Sequence, residues 1–158
     1  MAAPIAHASS VASLDPYVDR ALRRRTPRGS IVAADAAAVE RFVSVLFCRV
    51  VQTCFASFVR DVGACEHCGC TGGLERAHRA GCERPQLLRH AISLVARPHP
   101  ASGGIEVDAA RLHATFLALH RDDGAGRRLL VLCRACHRRY DEEHKDAPFR
   151  ESSAALTP

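Results

Sequence analysis

The 158-residue chain is 47% hydrophobic and 25% charged, a balance that excludes wholesale disorder and suits one soluble domain with room for a terminal extension. Aromatic residues make up only 5% and Trp is absent, which argues against a binding surface built from stacked rings. The formal net charge of +5 is carried mostly by Arg; this admits a polyanionic partner, although a GC-rich coding sequence would produce the same Arg and Ala bias.

Residues 1–31 are rich in Ala, Ser and Pro and contain the basic cluster Arg20, Arg23, Arg24, Arg25 and Arg28. This composition predicts a flexible basic tail. Such a cluster can follow a nucleic-acid backbone or act as a localisation signal, but a merely solvated stretch is the commoner outcome. From Asp35 the pattern turns helical: Val39, Phe42, Val43, Leu46, Val50, Cys54, Phe58 and Val62 recur at steps of three and four, with Gly63 as the stop. Phe47, Val51, Phe55 and Val59 widen the apolar face, so this 35–62 helix is expected either to lie deep in the core or to form a homodimer surface. The longest apolar run, within Val43 to Val51, is interrupted by Ser44 and Arg49 and is too short to span a bilayer. Cys48 and Cys54 read as small apolar side chains of this helix.

A knuckle-like turn follows at Cys65-Glu66-His67-Cys68-Gly69-Cys70, then a short strand over Leu74 to Arg79. Pro85 opens a helix reaching about Ala96, residues 97–104 read as a Pro/Gly loop, and Asp108 caps a helix bearing Leu112, Phe116 and Leu119. His113 and His120 lie on that helix and are expected to edge the core or face water, with His120 within approach of the residues discussed below. A buried strand over Leu129 to Leu132 leads into a charged helix over about Arg134 to Glu143. The expected division is a tail at 1–31, a single domain at 32–146 with a helical insertion at about 85–120, and a second tail at 147–158.

The eight cysteines raise the question of disulfides, but no secretory leader order is legible at the start and the close Cys-x-x-Cys pairs have metal-site spacing. A reducing compartment, cytoplasmic or nuclear, is therefore expected. Each two-residue spacing lets both sulfurs point inward from one tight turn, so Cys65, Cys68, Cys133 and Cys136 can close a tetrahedron around a structural zinc ion. Cys70 and Cys82 are competing ligands. A thiol redox pair is the alternative use of one Cys-x-x-Cys, but two pairs are better used together as one metal site.

The order Cys65-x-x-Cys68, Leu74-Glu75-x-x-His78, Leu130-x-Leu132-Cys133-x-x-Cys136-His137 and Asp141 resembles the zinc-bearing branch of the HNH endonucleases over roughly residues 65–144. The resemblance implies an α+β, helix-rich fold with a ββα-metal core around the four-cysteine knuckle. It further implies metal-dependent hydrolysis of DNA phosphodiester bonds, with His78 as general base. His137 and Asp141, four apart on the last helix, match the family's helix-borne ligands for a catalytic divalent cation such as Mg²⁺, Mn²⁺ or Zn²⁺. Ala77 stands where the family carries a further ligand, and Glu75, on the same strand face, can supply the missing oxygen. Near Arg128 the family's middle Asn is also absent. Arg79, Arg138 and Arg139 are expected to hold flanking phosphates. The two departures leave a second expectation beside the first: a zinc-stabilised nucleic-acid-binding or protein-interaction module without catalysis.

Overall fold

In the computed structural model the described residues are 29–120 and 128–150; the basic cluster expected in the N-terminal tail lies outside them, as does the side chain of Cys54. The chain is α+β: β1 (Ser30–Ala33), α1 (Ala36–Cys54), α2 (Ala56–Val62), β2 (Leu74–His78), α3 (Arg84–Val95), β3 (Arg97–His99), β4 (Gly104–Asp108), α4 (Ala109–His120), β5 (Leu129–Cys133) and α5 (Arg134–His144). Two small antiparallel sheets result, one in the order β1-β4-β3 and one pairing β2 with β5.

Asp35 starts α1 by accepting a hydrogen bond from the Ala38 amide at 2.8 Å, which satisfies one of the helix's orphan donors. Val39, Val43, Phe47 and Val50 then turn inward and are fully buried. They meet Leu87, Leu88, Ala91 and Ile92 of α3 and Leu112 and Phe116 of α4 in the larger core. Phe47 is its keystone, with its ring edge-on to Phe116 at 4.7 Å and to His113 at 6.1 Å. The buried face is narrower than the sequence pattern suggests, because Phe42 and Val45 are 67% and 68% exposed.

The helix expected to run unbroken to Val62 is interrupted at Phe55, whose ψ of 22° departs from helical geometry. The short α2 then ends as expected at Gly63, in the left-handed region at φ 69°. By length and composition Ala36–Val62 is apolar enough to cross a membrane, contrary to the reading of the sequence. Within the fold, however, its inward residues are the protein's own core, and α1 and α2 are separate segments.

Residues 97–104, expected to be loop, form most of a hairpin. Pro98 is tolerated because β3 is an edge strand paired only with β4, and the turn is closed by His99 Nδ1 and Ser102 Oγ at 2.9 Å. Ser30 and Ile31, grouped with the tail by composition, instead pair with Asp108 and Val107 in β1. Gly104 carries this junction, since a Cβ there would meet the Ala33 carbonyl. The segment after Lys145, also expected to be a tail, docks through residue 150: Arg150 N–H donates to Gly81 O at 2.8 Å, and Phe149 packs against the larger core.

Replacing Phe47 by Ala is expected to cost about 3–5 kcal/mol, the range for a buried aromatic whose cavity cannot collapse. Phe42→Ala on the same helix should stay within about 0.5 kcal/mol. Denaturant titration of the two variants checks the contrast; equal effects would mean that α1 buries a different face.

Candidate metal centre and adjoining cleft

Four cysteine sulfurs, those of Cys65, Cys68, Cys133 and Cys136, lie within 4.8 Å of one another. Among the described residues, no other group of three or more His, Cys, Asp or Glu ligand atoms is drawn this close. A tetrahedron with metal–sulfur bonds of about 2.3 Å has sulfurs about 3.8 Å apart, and Cys68 Sγ and Cys133 Sγ are separated by 3.8 Å. The donors and their spacing therefore fit a metal such as zinc.

The backbone explains how two distant turns meet. Cys65 N–H donates to Cys70 O and Gly69 N–H to Cys65 O, both at 2.8 Å, which closes the knuckle. Glu66 then fastens the knuckle to β5: its N–H donates to Val131 O at 2.9 Å, and its carboxylate accepts from Val131 N–H at 2.6 Å. On the other side of β5, β2 runs antiparallel, with Glu75 opposite Leu132 and His78 opposite Leu129. Arg134 N–H, at the start of α5, donates to Gly73 O at 3.1 Å. Knuckle, strand pair and helix are thus laced together by main-chain groups around the sulfurs. Glu66 is a positioning residue that no motif marks.

Electrostatics divide the thiols of the cluster. Burial pushes the Cys65 thiol up, but backbone hydrogen bonds from Cys133, Cys68 and His67 outweigh it and bring the group down to about 6. The Cys136 backbone likewise lowers Cys133. Amide dipoles therefore favour thiolates, the form that binds metal, at these two positions, whereas burial, followed by the neighbouring Cys133, Cys68 and Cys65, pushes the Cys136 thiol up to about 12. Of the two competing ligands, Cys70 reaches the rim of the cluster, where hydrogen bonding with Cys133 and Cys68 raises its thiol to about 11. Cys82 is buried and stands outside the group of four.

Beside the cluster, a cleft of about 370 Å³ is lined by Cys48, Val51 and Gln52 of α1, Val59 of α2, Leu74, Glu75, Arg76 and His78 of β2, Arg84 of α3, and His137 of α5. Three of the residues singled out in the sequence, Glu75, His78 and His137, thus share one cavity. Cys48 lines it half-buried rather than sitting in the apolar core. Glu75 Oε2 accepts from His137 Nδ1 at 3.0 Å and Oε1 from Arg134 Nε at 3.0 Å. His137 first, and Arg134 after it, hold the Glu75 carboxyl below its ordinary value. Asp141 is not among the lining residues. Its side chain is 64% exposed, and it meets His137 Nε2 at 3.5 Å. Ala77 is fully buried among Leu130, Leu132 and the cysteines.

The arginines divide differently from the sequence expectation. Arg79, Arg138 and Arg139 are exposed outside the cleft lining, with Arg139 directed to Cys136 Sγ at 3.7 Å. Arg76 and Arg84 line the cleft instead. Arg84 lies at the edge of the segment the sequence marks only as an insertion, so spacing gave no signal for it. Near Arg128, the main-chain carbonyl accepts from Arg79 N–H at 2.8 Å and extends the β2–β5 pairing.

His78 meets His120 at the end of α4, with Nε2 to Nε2 3.4 Å and rings edge-on at 74°. Burial, followed by nearby His120, Arg84 and His137, drives the His78 imidazole down to about 3. Burial also lowers His120 to about 4, against a raising hydrogen bond to the Phe116 carbonyl. Both rings are neutral at physiological pH. Compared with known proteins, the chain matches no family model, no curated protein and no solved structure.

Both histidines have folded pKa values below the unfolded value of 6.5. Between 6.5 and about 4 the unfolded chain binds protons that the folded chain refuses, so stability falls as pH falls through that window. Denaturant titrations from about pH 7 to about pH 4.5 should show this loss, with a shallower slope in His78→Gln. An unchanged slope would mean that His78 is protonated in the fold.

Proposed function

We propose that the protein is a metal-dependent endonuclease of the HNH type that hydrolyses DNA phosphodiester bonds, with a structural zinc ion on Cys65, Cys68, Cys133 and Cys136. The observation that carries this reading is the convergence of Glu75, His78 and His137 on one cleft beside the four sulfurs. Four thiolates saturate a tetrahedral zinc and leave no position for water, so that ion acts as scaffold. A second, catalytic divalent cation would be held by Glu75, His137 and Asp141, and would supply charge stabilisation at the scissile phosphate.

The chain's own residues then have defined tasks. Neutral His78 takes a proton from the attacking water as its oxygen bonds to phosphorus; the P–O bond to the leaving oxygen breaks, and that oxygen takes up a proton from solvent. Arg76 and Arg84 hold phosphates within the cleft, while Arg79, Arg138 and Arg139 hold the flanking backbone and contribute affinity without sequence choice. A second copy seated on the exposed Phe42 and Val45 face would let two nicks become a double-strand break. A reducing compartment, cytoplasm or nucleus, suits the thiolates.

A specific observation favours the second reading, a zinc-stabilised binding module without catalysis. Ala77 is packed away from the cleft, and Glu75 and Asp141 both engage His137 rather than forming an open oxygen-rich pocket.

Elemental analysis is expected to give about one zinc per chain, with Cys133→Ser losing most of it; zinc retained in that variant would remove the four-cysteine site. Supercoiled plasmid incubated with magnesium or manganese should be nicked by the intact chain, and about 100-fold more slowly by His78→Ala, the scale of a lost general base. A zinc-loaded protein that nicks under neither metal supports the binding module instead.

A further inference from the structure

The contact between His78 and His120 has a chemical direction that follows from one atom. His120 Nδ1 lies 2.8 Å from the Phe116 carbonyl oxygen. A carbonyl oxygen can only accept, so the proton of a neutral His120 resides on Nδ1 and its Nε2 carries a lone pair. In the 3.4 Å contact between the two Nε2 atoms, His78 must therefore donate. This places the His78 proton on Nε2 and leaves its Nδ1 as the ring's one basic atom.

From this geometry we infer that His120 is a positioning residue for His78: it selects the Nε2–H tautomer and holds the ring at the cleft with Nδ1 free to take a proton. The inference rests on the nuclease reading for its catalytic consequence, whereas the tautomer stands on the hydrogen bonds alone. His120 is itself well fixed. Its ring is buried against Phe116 at 4.4 Å and Phe55 at 5.9 Å, and its Nδ1 bond runs back within its own helix. A partner locked by packing and by a second hydrogen bond can impose a tautomer, because turning its own ring would break both.

A shared metal ion is the competing use of two imidazoles at this separation. The surroundings oppose it: Arg84 bears electrostatically on both rings and Arg128 on His120. No carboxylate or thiol joins the pair in a metal-sized group among the described residues. With no anionic ligand to offset the arginines, a neutral N–H···N contact fits this pair and an added dication does not.

The test uses the zinc-loaded full chain. Long-range ¹H–¹⁵N correlation spectra should show His78 protonated on Nε2 and unprotonated on Nδ1. His120→Phe keeps the ring packing but removes the acceptor; it should mix or reverse the His78 tautomer. It should also lower kcat for plasmid nicking about 10-fold to 100-fold, with KM for DNA unchanged. In His120→Gln the amide oxygen reaches the former Nε2 position, so the Nε2–H tautomer and most of kcat should return. The proposal is overturned if the unmodified chain carries the His78 proton on Nδ1, or if His120→Phe leaves tautomer and kcat untouched in a chain that nicks DNA. If no chain nicks but the tautomer responds as described, the positioning assignment stands and the nuclease reading fails. Should His120→Phe not fold, the tautomer of the unmodified chain and the behaviour of His120→Gln decide the matter.

Discussion

Bringing the Cys65–Cys68 turn against the Cys133–Cys136 turn closes a loop in which Cys68 and Cys133 are 65 residues apart. Closure of a flexible loop of that length costs about 4 kcal/mol in chain entropy. Four sulfurs within 4.8 Å would add charge repulsion, since amide dipoles favour thiolates at Cys65 and Cys133. A zinc ion on such ligands contributes on the order of 10 kcal/mol, enough to outweigh both penalties. Without a metal, the small apolar cluster of Ala77, Leu130 and Leu132 with the cysteines and the hydrogen bonds around it would have to hold the knuckle, β2, β5 and α5 together. The cleft depends on this constraint, because Glu75, His78 and His137 all ride on elements that the cluster joins.

The larger core answers to a different force. It is an ordinary apolar assembly of α1, α3, α4 and β4 around Phe47 and Phe116, and packing rather than metal stabilises it. Directional contacts join the two parts, among them His78 with His120, and Arg76 Nη1 donating to the Gln52 carbonyl at 2.8 Å. The opposite wall of the cleft comes from Cys48, Val51 and Gln52 of α1, Val59 of α2 and Arg84 of α3, while His120 of α4 backs the ring of His78.

Element positions were largely legible in the sequence because burial has a period. Val39, Val43 and Phe47 announced α1; the apolar run Leu129–Leu132 announced β5; Asp35, Asp108 and Gly63 marked ends through local hydrogen bonding and left-handed backbone. The β3–β4 hairpin was not legible, since Pro98 and the small residues of the turn read as punctuation, and the strand exists only through pairing with β4. The docked Phe149 and Arg150 were missed for the same reason: tertiary contact, not local propensity, fixes them. In the candidate site, spacing identified the cysteines, Glu75, His78 and His137. It could not identify Glu66 or Arg84, and it marked His120 only as able to approach the site, because their contacts arise from groups distant in sequence.

The methyl side chain of Ala77 shapes how α5 lies against β2. α5 runs alongside β2: Arg134 and His137 stand level with Glu75, while Tyr140 Oη, one turn further, accepts from Ala80 N–H at 2.8 Å. A ligand at position 77 would stand beside the stretch between His137 and Asp141. The methyl group there instead lets the helix settle onto Leu130 and the cysteines. Moving the acidic group two residues back to Glu75 shifts it about 7 Å along the strand, slightly more than one helical turn of 5.4 Å. Glu75 therefore reaches His137 directly but leaves Asp141 on the far side of the imidazole. Any cation held by these three groups must sit toward the start of α5, and Asp141, exposed and only 3.5 Å from His137 Nε2, is the ligand with freedom to swing towards it. On the nuclease reading proposed above, catalysis would turn less on the presence of a carboxylate near position 77 than on whether His137 exchanges a carboxylate partner for a metal.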